Sequence, residues 1–115
     1  MLEVRPLAIP EVSLEAIIGA LVENSHLAGA GSVTIAAEPV GGRIRLALAD
    51  DGPGIPAADR ARVFEPFFTT RRSTGGSGLG LAIAASLVEA AGGSLRLGDP
   101  PVGGGTRFLL DLPDA

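Results

Sequence analysis

Between Leu14 and Val22 the apolar residues Leu14, Ile17, Ile18, Leu21 and Val22 recur at helical spacing, which predicts an amphipathic helix. Ser13 offers an N-cap oxygen, and Gly29 and Gly31 stop the pattern just beyond Ala28. The period then changes to two. Stretches from about Ser32 to Glu38 and from Arg43 to Asp50 predict two strands, with Pro39-Val40-Gly41-Gly42 as their hairpin connection. Pro56 suits the first position of a short helix, Ala57 to about Val63. A second long helix is expected from Leu79 to about Ala91, apolar on most faces, with Leu79, Ile83 and Leu87 as its main stripe. Such a helix should lie buried against a sheet, and Gly92-Gly93 ends it. Two more strands follow: Ser94 to Gly98, with Leu95 and Leu97 inward, and Gly105 to Leu112, with Thr106, Phe108, Leu110 and Leu112 on one face. Ahead of all this, Leu2 and Val4 alternate before Pro6 and Pro10, predicting an edge strand and connector between Met1 and Val12.

A few polar residues stand where this pattern asks for apolar ones. Asp50 continues the face of Ile44, Leu46 and Leu48, placing a carboxylate at the end of the core side of a sheet. That costs several kcal/mol unless a donor meets it. Asp51 falls on the opposite face and can stay wet. Thr106 heads an apolar face as Asp50 ends one, and two polar groups entering one layer suggest a shared polar ligand or water. Asn24 flanks the buried stripe of the first helix, as either a solvated surface amide or a group turned to a ligand.

Asp51-Gly52-Pro53-Gly54-Ile55-Pro56 has the composition of a tight turn. A turn accounts for the glycines but not for Asp50. A ligand presenting an N–H, such as the amino group of adenine, accounts for both, because Gly52 and Gly54 would admit a flat ring. The run Thr70 to Gly80, with Arg71 and Arg72 ahead of Gly76, Gly78, Leu79 and Gly80, reads as a linker or as a cationic phosphate cradle at a helix start. Phe64, Phe67 and Phe68 are three of the chain's four phenylalanines. They form either a satellite core or a docking patch.

Composition narrows the classes. At 115 residues, 46% of them hydrophobic, the chain is expected to be one ordered domain with a single core. Without cysteine and with one histidine, disulfides, thiolate metal sites and an all-histidine zinc site are ruled out. A net charge of −4 and 3% aromatics argue against a nucleic-acid surface. The longest uncharged apolar stretch, Gly78 to Val88, is too short to span a bilayer, so a cytoplasmic domain without membrane contact is expected.

Five stretches, in order and spacing, resemble the ATP-binding catalytic domain of bacterial sensor histidine kinases, from about Pro10 to the end. Leu21-Val22-Glu23-Asn24-Ser25 resembles the family's asparagine box. Asp50-Asp51-Gly52-Pro53-Gly54-Ile55-Pro56 resembles its first glycine box, and Phe64-Glu65-Pro66-Phe67-Phe68-Thr69-Thr70 its phenylalanine box. Gly76-Ser77-Gly78-Leu79-Gly80-Leu81 resembles the second glycine box, and Gly103-Gly104-Gly105-Thr106-Arg107-Phe108 the closing Gly-Thr strand.

The resemblance implies a two-layer α/β sandwich of the Bergerat type, a mixed sheet of about five strands covered on one face by helices. It implies ATP and Mg²⁺ as ligands, with Asn24 holding Mg²⁺ through its amide oxygen. Asp50 would accept the adenine amino group with Thr106 nearby through water. Gly52, Gly54 and Ile55 would line the base, and Gly76, Gly78, Leu79 and Gly80 would form the lid hinge and phosphate cradle. Arg71 or Arg72 would reach the γ-phosphate. Phe64, Phe67 and Phe68 would face the partner domain, which carries dimerisation helices and the phosphoacceptor histidine. A response regulator would take the phosphoryl group from there.

The sequence departs from the pattern in three ways. A second asparagine usual one turn before Asn24 is Ala20, and a cation common three residues after it is Leu27. Each loss would weaken binding by roughly 1–3 kcal/mol. The phosphoacceptor hairpin has no counterpart, and His26, inside the asparagine box, is not the acceptor by resemblance. Ala20 also stands where the gyrase branch has a water-activating glutamate, so transfer to a partner is expected over hydrolysis. Two alternatives stay open: a degenerate docking module, motivated by Ala20 and Leu27, and an anti-sigma-type serine kinase, against which the phenylalanine run argues.

Overall fold

The computed structural model describes residues 11–66, 68 and 80–113. Helix α1 runs Glu11–Leu27, followed by strands β1 (Val33–Val40) and β2 (Arg43–Asp50). A 3₁₀ turn covers Ala57–Asp59, then come α2 (Gly80–Ala90), β3 (Ser94–Leu97) and β4 (Arg107–Pro113). The expected strand within Met1 to Val12 lies largely outside the described residues, of which Glu11 and Val12 are helical.

Helix α1 starts ahead of Ser13, which therefore sits inside it and is not its cap. Nothing in Glu11 or Val12 breaks a helix, so the turn extends back toward Pro10. Both helices end the same way. At α1, Gly29 N–H donates to His26 O at 3.0 Å and Ala30 N–H to Ser25 O at 3.0 Å. At α2, Gly92 N–H donates to Glu89 O at 3.0 Å and Gly93 N–H to Val88 O at 2.9 Å. These paired bonds are Schellman caps, which meet carbonyls that the helix leaves open.

The four described strands lie in the order β1-β2-β4-β3, and every neighbouring pair is antiparallel. The resemblance implies a mixed sheet of about five strands, whereas the described residues give four, all antiparallel to their neighbours. Strands β2 and β3 run the same way, but β4 returns from β3 and lies between them, so no parallel pair forms among the described residues. Gly41 and Gly42, at φ +55° and +79°, make the two-residue β1–β2 turn, and both positions need φ above zero. Pro39 is therefore in β1, where an edge strand tolerates it.

The core lies between the helices and one sheet face. Ile17 and Leu21 of α1, Ala84 and Val88 of α2, Leu46 and Leu48 of β2, and Phe108, Leu110 and Leu112 of β4 form one cluster. Register supports it: Leu46 faces Leu110 and Leu48 faces Phe108 across β2 and β4. Burying each such side chain contributes about 1.5–3 kcal/mol. The core stripe of α2 is thus Ala84 and Val88, flanked by Leu81, Leu87 and Ala91, whereas Ile83 is 54% exposed. A helix apolar on most faces does not announce which face it buries.

Downstream of Pro56 the expected helix starts at Ala57 but is a 3₁₀ helix that ends at Asp59, short of Val63. Asp59 N–H reaches Pro56 O at 2.9 Å, Arg62 N–H reaches Asp59 O at 2.9 Å and Glu65 N–H reaches Arg62 O at 2.9 Å. Those are successive three-residue turns, and Pro56 caps them from outside.

A carboxylate cradle at the sheet end

Three apolar stripes each finish in a polar side chain, and the three ends meet. On α1, Ile17 and Leu21 are followed one turn later by Ser25, 3% exposed. On β2, Leu46 and Leu48 lead to Asp50, 6% exposed; on β4, Phe108 is preceded two residues earlier by Thr106, also 6% exposed. Ser25 Oγ–H donates to Asp50 Oδ2 at 2.6 Å. Asp50 Oδ1 accepts from Gly52 N–H at 3.0 Å and from Thr106 N–H at 3.0 Å. The Asp50 N–H in turn donates to Thr106 O at 2.8 Å, extending the β2–β4 ladder by one pair.

The donor that Asp50 requires is therefore supplied three times from within the chain. All three donors are neutral. Among the described residues the ion pairs are Arg43–Asp111 and Arg62–Glu65, and neither reaches Asp50. A carboxylate offers about four lone-pair positions, and these bonds take one on Oδ2 and two on Oδ1.

Glycine is required at the floor of this cradle. Gly105, at φ +111°, lies so close that a Cβ would drive into the Asp50 carbonyl oxygen and sit 3.4 Å from Oδ1. A Cβ on Gly54 would fall 3.0 Å from Gly105 O, and one on Gly52 would fall 3.3 Å from Asp50 Oδ1. The turn after β2 thus folds back over the start of β4, and side chains there would crowd the carboxylate.

Asp51 secures the other wall. Its Oδ1 accepts from Gly31 N–H at 2.7 Å and Ser32 N–H at 3.0 Å, and its Oδ2 accepts from Ser32 Oγ–H at 3.1 Å. These bonds, from the Ser32 and Gly31 backbone and then the Ser32 hydroxyl, hold its carboxyl below the ordinary range. The segment after α1 is so tied to the end of β2, and with it the last turn of α1. Asn24 lies in that turn, half-buried, its carbonyl accepting from Ala28 N–H at 3.1 Å.

Of the expected site residues, Asn24, Asp50, Gly52, Gly54 and Thr106 are at this one end of the sheet, with Ile55 half-buried in the adjoining turn. Thr106 reaches Asp50 through its backbone N–H. Gly80 begins α2. Arg71, Arg72, Gly76, Gly78, Leu79 and Phe67 lie outside the described residues.

The two described phenylalanines of the run part ways. Phe64 meets Phe108 edge to face, centroids 6.3 Å apart, and so anchors its loop to the core. Phe68 lies under the Arg62 guanidinium, 4.5 Å from its ring centre. Pro66, Ala82, Ile83, Ser86 and Leu87 line an apolar groove of about 280 Å³.

Ser25 is the member that sequence reasoning passed over. The signal was available: it continues Ile17 and Leu21 by four residues each time, as Asp50 continues its strand face by two.

The chain is similar to known proteins. Residues 10–115 match the family model described as histidine kinase-, DNA gyrase B-, and HSP90-like ATPase. The alginate biosynthesis sensor protein KinB of Pseudomonas aeruginosa is 34% identical over 96% of this chain and 19% of its own length. The sensor-like histidine kinase SenX3 of Mycolicibacterium smegmatis is 43% identical over 71% of the chain and 22% of its own. Among solved structures, the mycobacterial sensor histidine kinase MprB superposes with a TM-score of 0.79 at 33% identity, over 91% of this chain and 72% of that one. The chain thus spans about a fifth of the length of these two curated relatives. Family model, sequence relatives and fold agree: the chain belongs to the histidine kinase-, DNA gyrase B- and HSP90-like ATPases, among the ATP-binding domains of sensor histidine kinases.

Proposed function

We propose that the chain is the catalytic domain of a two-component sensor histidine kinase, which binds Mg²⁺-ATP and presents its γ-phosphoryl group to a histidine on a separate dimerisation domain. The observation that supports this reading best is the Asp50 cradle: a buried carboxylate held, among the described residues, by three neutral donors, with glycines around it and a lone pair that these bonds leave. The exocyclic amino group of adenine is such a donor. Solved full-length ShkA, 38% identical over 90% of this chain, is in complex with AMPPNP.

In this reading Asp50 orients the base, and Gly52 and Gly54 keep the approach to its carboxylate clear. Asn24, in the turn of α1 that Asp51 ties down, would hold Mg²⁺ through an amide oxygen. Among the described residues no group of three or more His, Asp or Glu could hold a metal ion. One amide oxygen beside phosphates and waters is the donor set Mg²⁺ accepts. The bound nucleotide supplies the phosphoryl group. The chain's own residues fix its position, and the nucleophile comes from the partner. Pro66, Ile83 and Leu87 line an apolar groove, a surface suited to helices of that partner. A response regulator would act downstream, and the domain would work in the cytoplasm; no helix among the described residues is long and apolar enough to cross a membrane.

Thermal unfolding with Mg²⁺-ADP tests the reading. Nucleotide at ~100 times Kd adds about 2.7 kcal/mol of stability, and a folded chain that does not shift at millimolar nucleotide would refute it. One observation favours a second reading. Ala20 packs against the core, so its position gives apolar contact where a polar group was expected. A docking module without transfer would then remain, and adding dimerisation helices separates the two, because only a competent domain labels their histidine.

A further inference from the structure

The hydroxyl of Ser25 touches the carboxylate that faces the base, and the adenine reading as it stands gives that hydroxyl no task. We propose that Ser25 is a specificity-determining residue: by committing its single hydroxyl hydrogen to Asp50 it makes the site accept 6-aminopurine nucleotides and reject 6-oxopurine ones. The inference rests on the reading that Asp50 meets a purine base.

The geometry carries the argument. Ser25 Oγ lies 2.6 Å from Asp50 Oδ2, and both residues are buried. Oδ1 is occupied by the Gly52 and Thr106 N–H groups. The carboxylate is therefore fixed at both oxygens, and the lone pair that these three bonds leave is on Oδ2. Having given its hydrogen away, the Ser25 oxygen also presents only lone pairs to an incoming edge. A ligand edge placed here meets two acceptors. An exocyclic amino group, with two hydrogens, satisfies them; a carbonyl oxygen at the same place sets acceptor against acceptor. Sites built to pair a polar group reject analogues that cannot pair far more strongly than apolar pockets do.

Ser25 is also held rigidly. Its carbonyl accepts from Ala30 N–H at 3.0 Å in the α1 cap, and Asp51 fixes the following residues Gly31 and Ser32. Removing the hydroxyl leaves a small polar gap beside Oδ2 that suits a water. Water carries two hydrogens. It would give one to Asp50 and turn the other to a 6-oxo group, which serine, with one hydrogen, cannot do.

The test compares ADP with inosine diphosphate, in which a 6-oxo group replaces the 6-amino group and N1 carries a hydrogen, by calorimetry on the whole chain with Mg²⁺; because both changes are present in every arm, the readout is how the ADP-to-inosine diphosphate ratio changes with residue 25. Wild type is expected to prefer ADP by about 100-fold or more. Ser25→Ala should lower that preference roughly 10-fold, and Ser25→Thr, which keeps the hydroxyl, should restore it. A merely structural role would weaken both nucleotides alike and leave their ratio intact, and that outcome overturns the inference. Should Ser25→Ala not fold, Ser25→Cys, similar in size but a weak donor, carries the same comparison. A wild-type chain that binds neither nucleotide defeats the adenine reading and this inference together; a chain that binds ADP with a ratio indifferent to residue 25 defeats the inference alone.

Discussion

The two ends of the β2–β4 strand pair treat an aspartate in opposite ways. At one end Asp50 is buried and held by a hydroxyl and two amides, all neutral. At the other, Asp111 is partly exposed and bonded to the Arg43 guanidinium at 2.8 Å, which also reaches Gly92 O at the end of α2. Both ends are closed by a glycine without room for a side chain: Gly105 against the Asp50 carbonyl and Gly93 against the Asp111 carbonyl. The steric need is shared and the electrostatics are not. An aspartate that serves only the fold is matched with a cation and left near water. In the proposed reading, one kept for a ligand is surrounded by neutral donors, which leave a lone pair for it.

Four experiments press on that contrast. The largest effect is expected where the ends are alike. Gly105→Ala and Gly93→Ala should each lose about 3 kcal/mol or more in denaturant unfolding, because backbone oxygens stand where the Cβ must go. A mild effect at Gly105 would mean the cradle floor yields. Next, Asp50→Asn should cost about 1–3 kcal/mol and abolish any nucleotide-induced thermal shift, since an amide nitrogen turns a donor toward N–H or O–H groups. Asp111→Asn should cost under about 1 kcal/mol and leave the nucleotide shift unchanged, the Arg43 and Asp111 side chains being 40% and 30% exposed. Equal losses of nucleotide binding in these two variants would erase the distinction.

The smallest effect concerns Asp51, whose folded carboxyl is held below its ordinary value by the Ser32 and Gly31 amides. Its contribution is fully present above about pH 4 and fades as pH falls through the lower folded value. Asp51→Asn should accordingly lower the unfolding midpoint near pH 6 and converge on wild type in acid. A gap that widens on acidification would contradict the assigned bonds.

What could be read from the sequence was local. The two-residue period put Asp50 at the core end of β2 and Thr106 at the head of an apolar face, and both lie there, buried. Paired glycines marked the α2 cap and the hairpin turn. Long-range order was not legible: nothing in the residues of β4 says that it enters between β2 and β3. The stripe of α2 was misplaced because Ile83 and Val88 are equally apolar, and only the sheet decides between them. Ser25 was missed for a different reason. Beside Asn24 it looks like an ordinary helix-end serine, and only a partner 25 positions away gives its hydroxyl a purpose.

The central place of β4 bears on when the domain becomes functional during its own synthesis. The β1–β2 hairpin and both helices can emerge from a ribosome and stay without a finished sheet, because the strand that joins β2 to β3 is made after all of them. Gly105 and Thr106, which complete the grip on Asp50, arrive with that same segment. A nascent chain stopped short of residue 105 would hold most of the family's signature residues and still lack the Asp50 cradle.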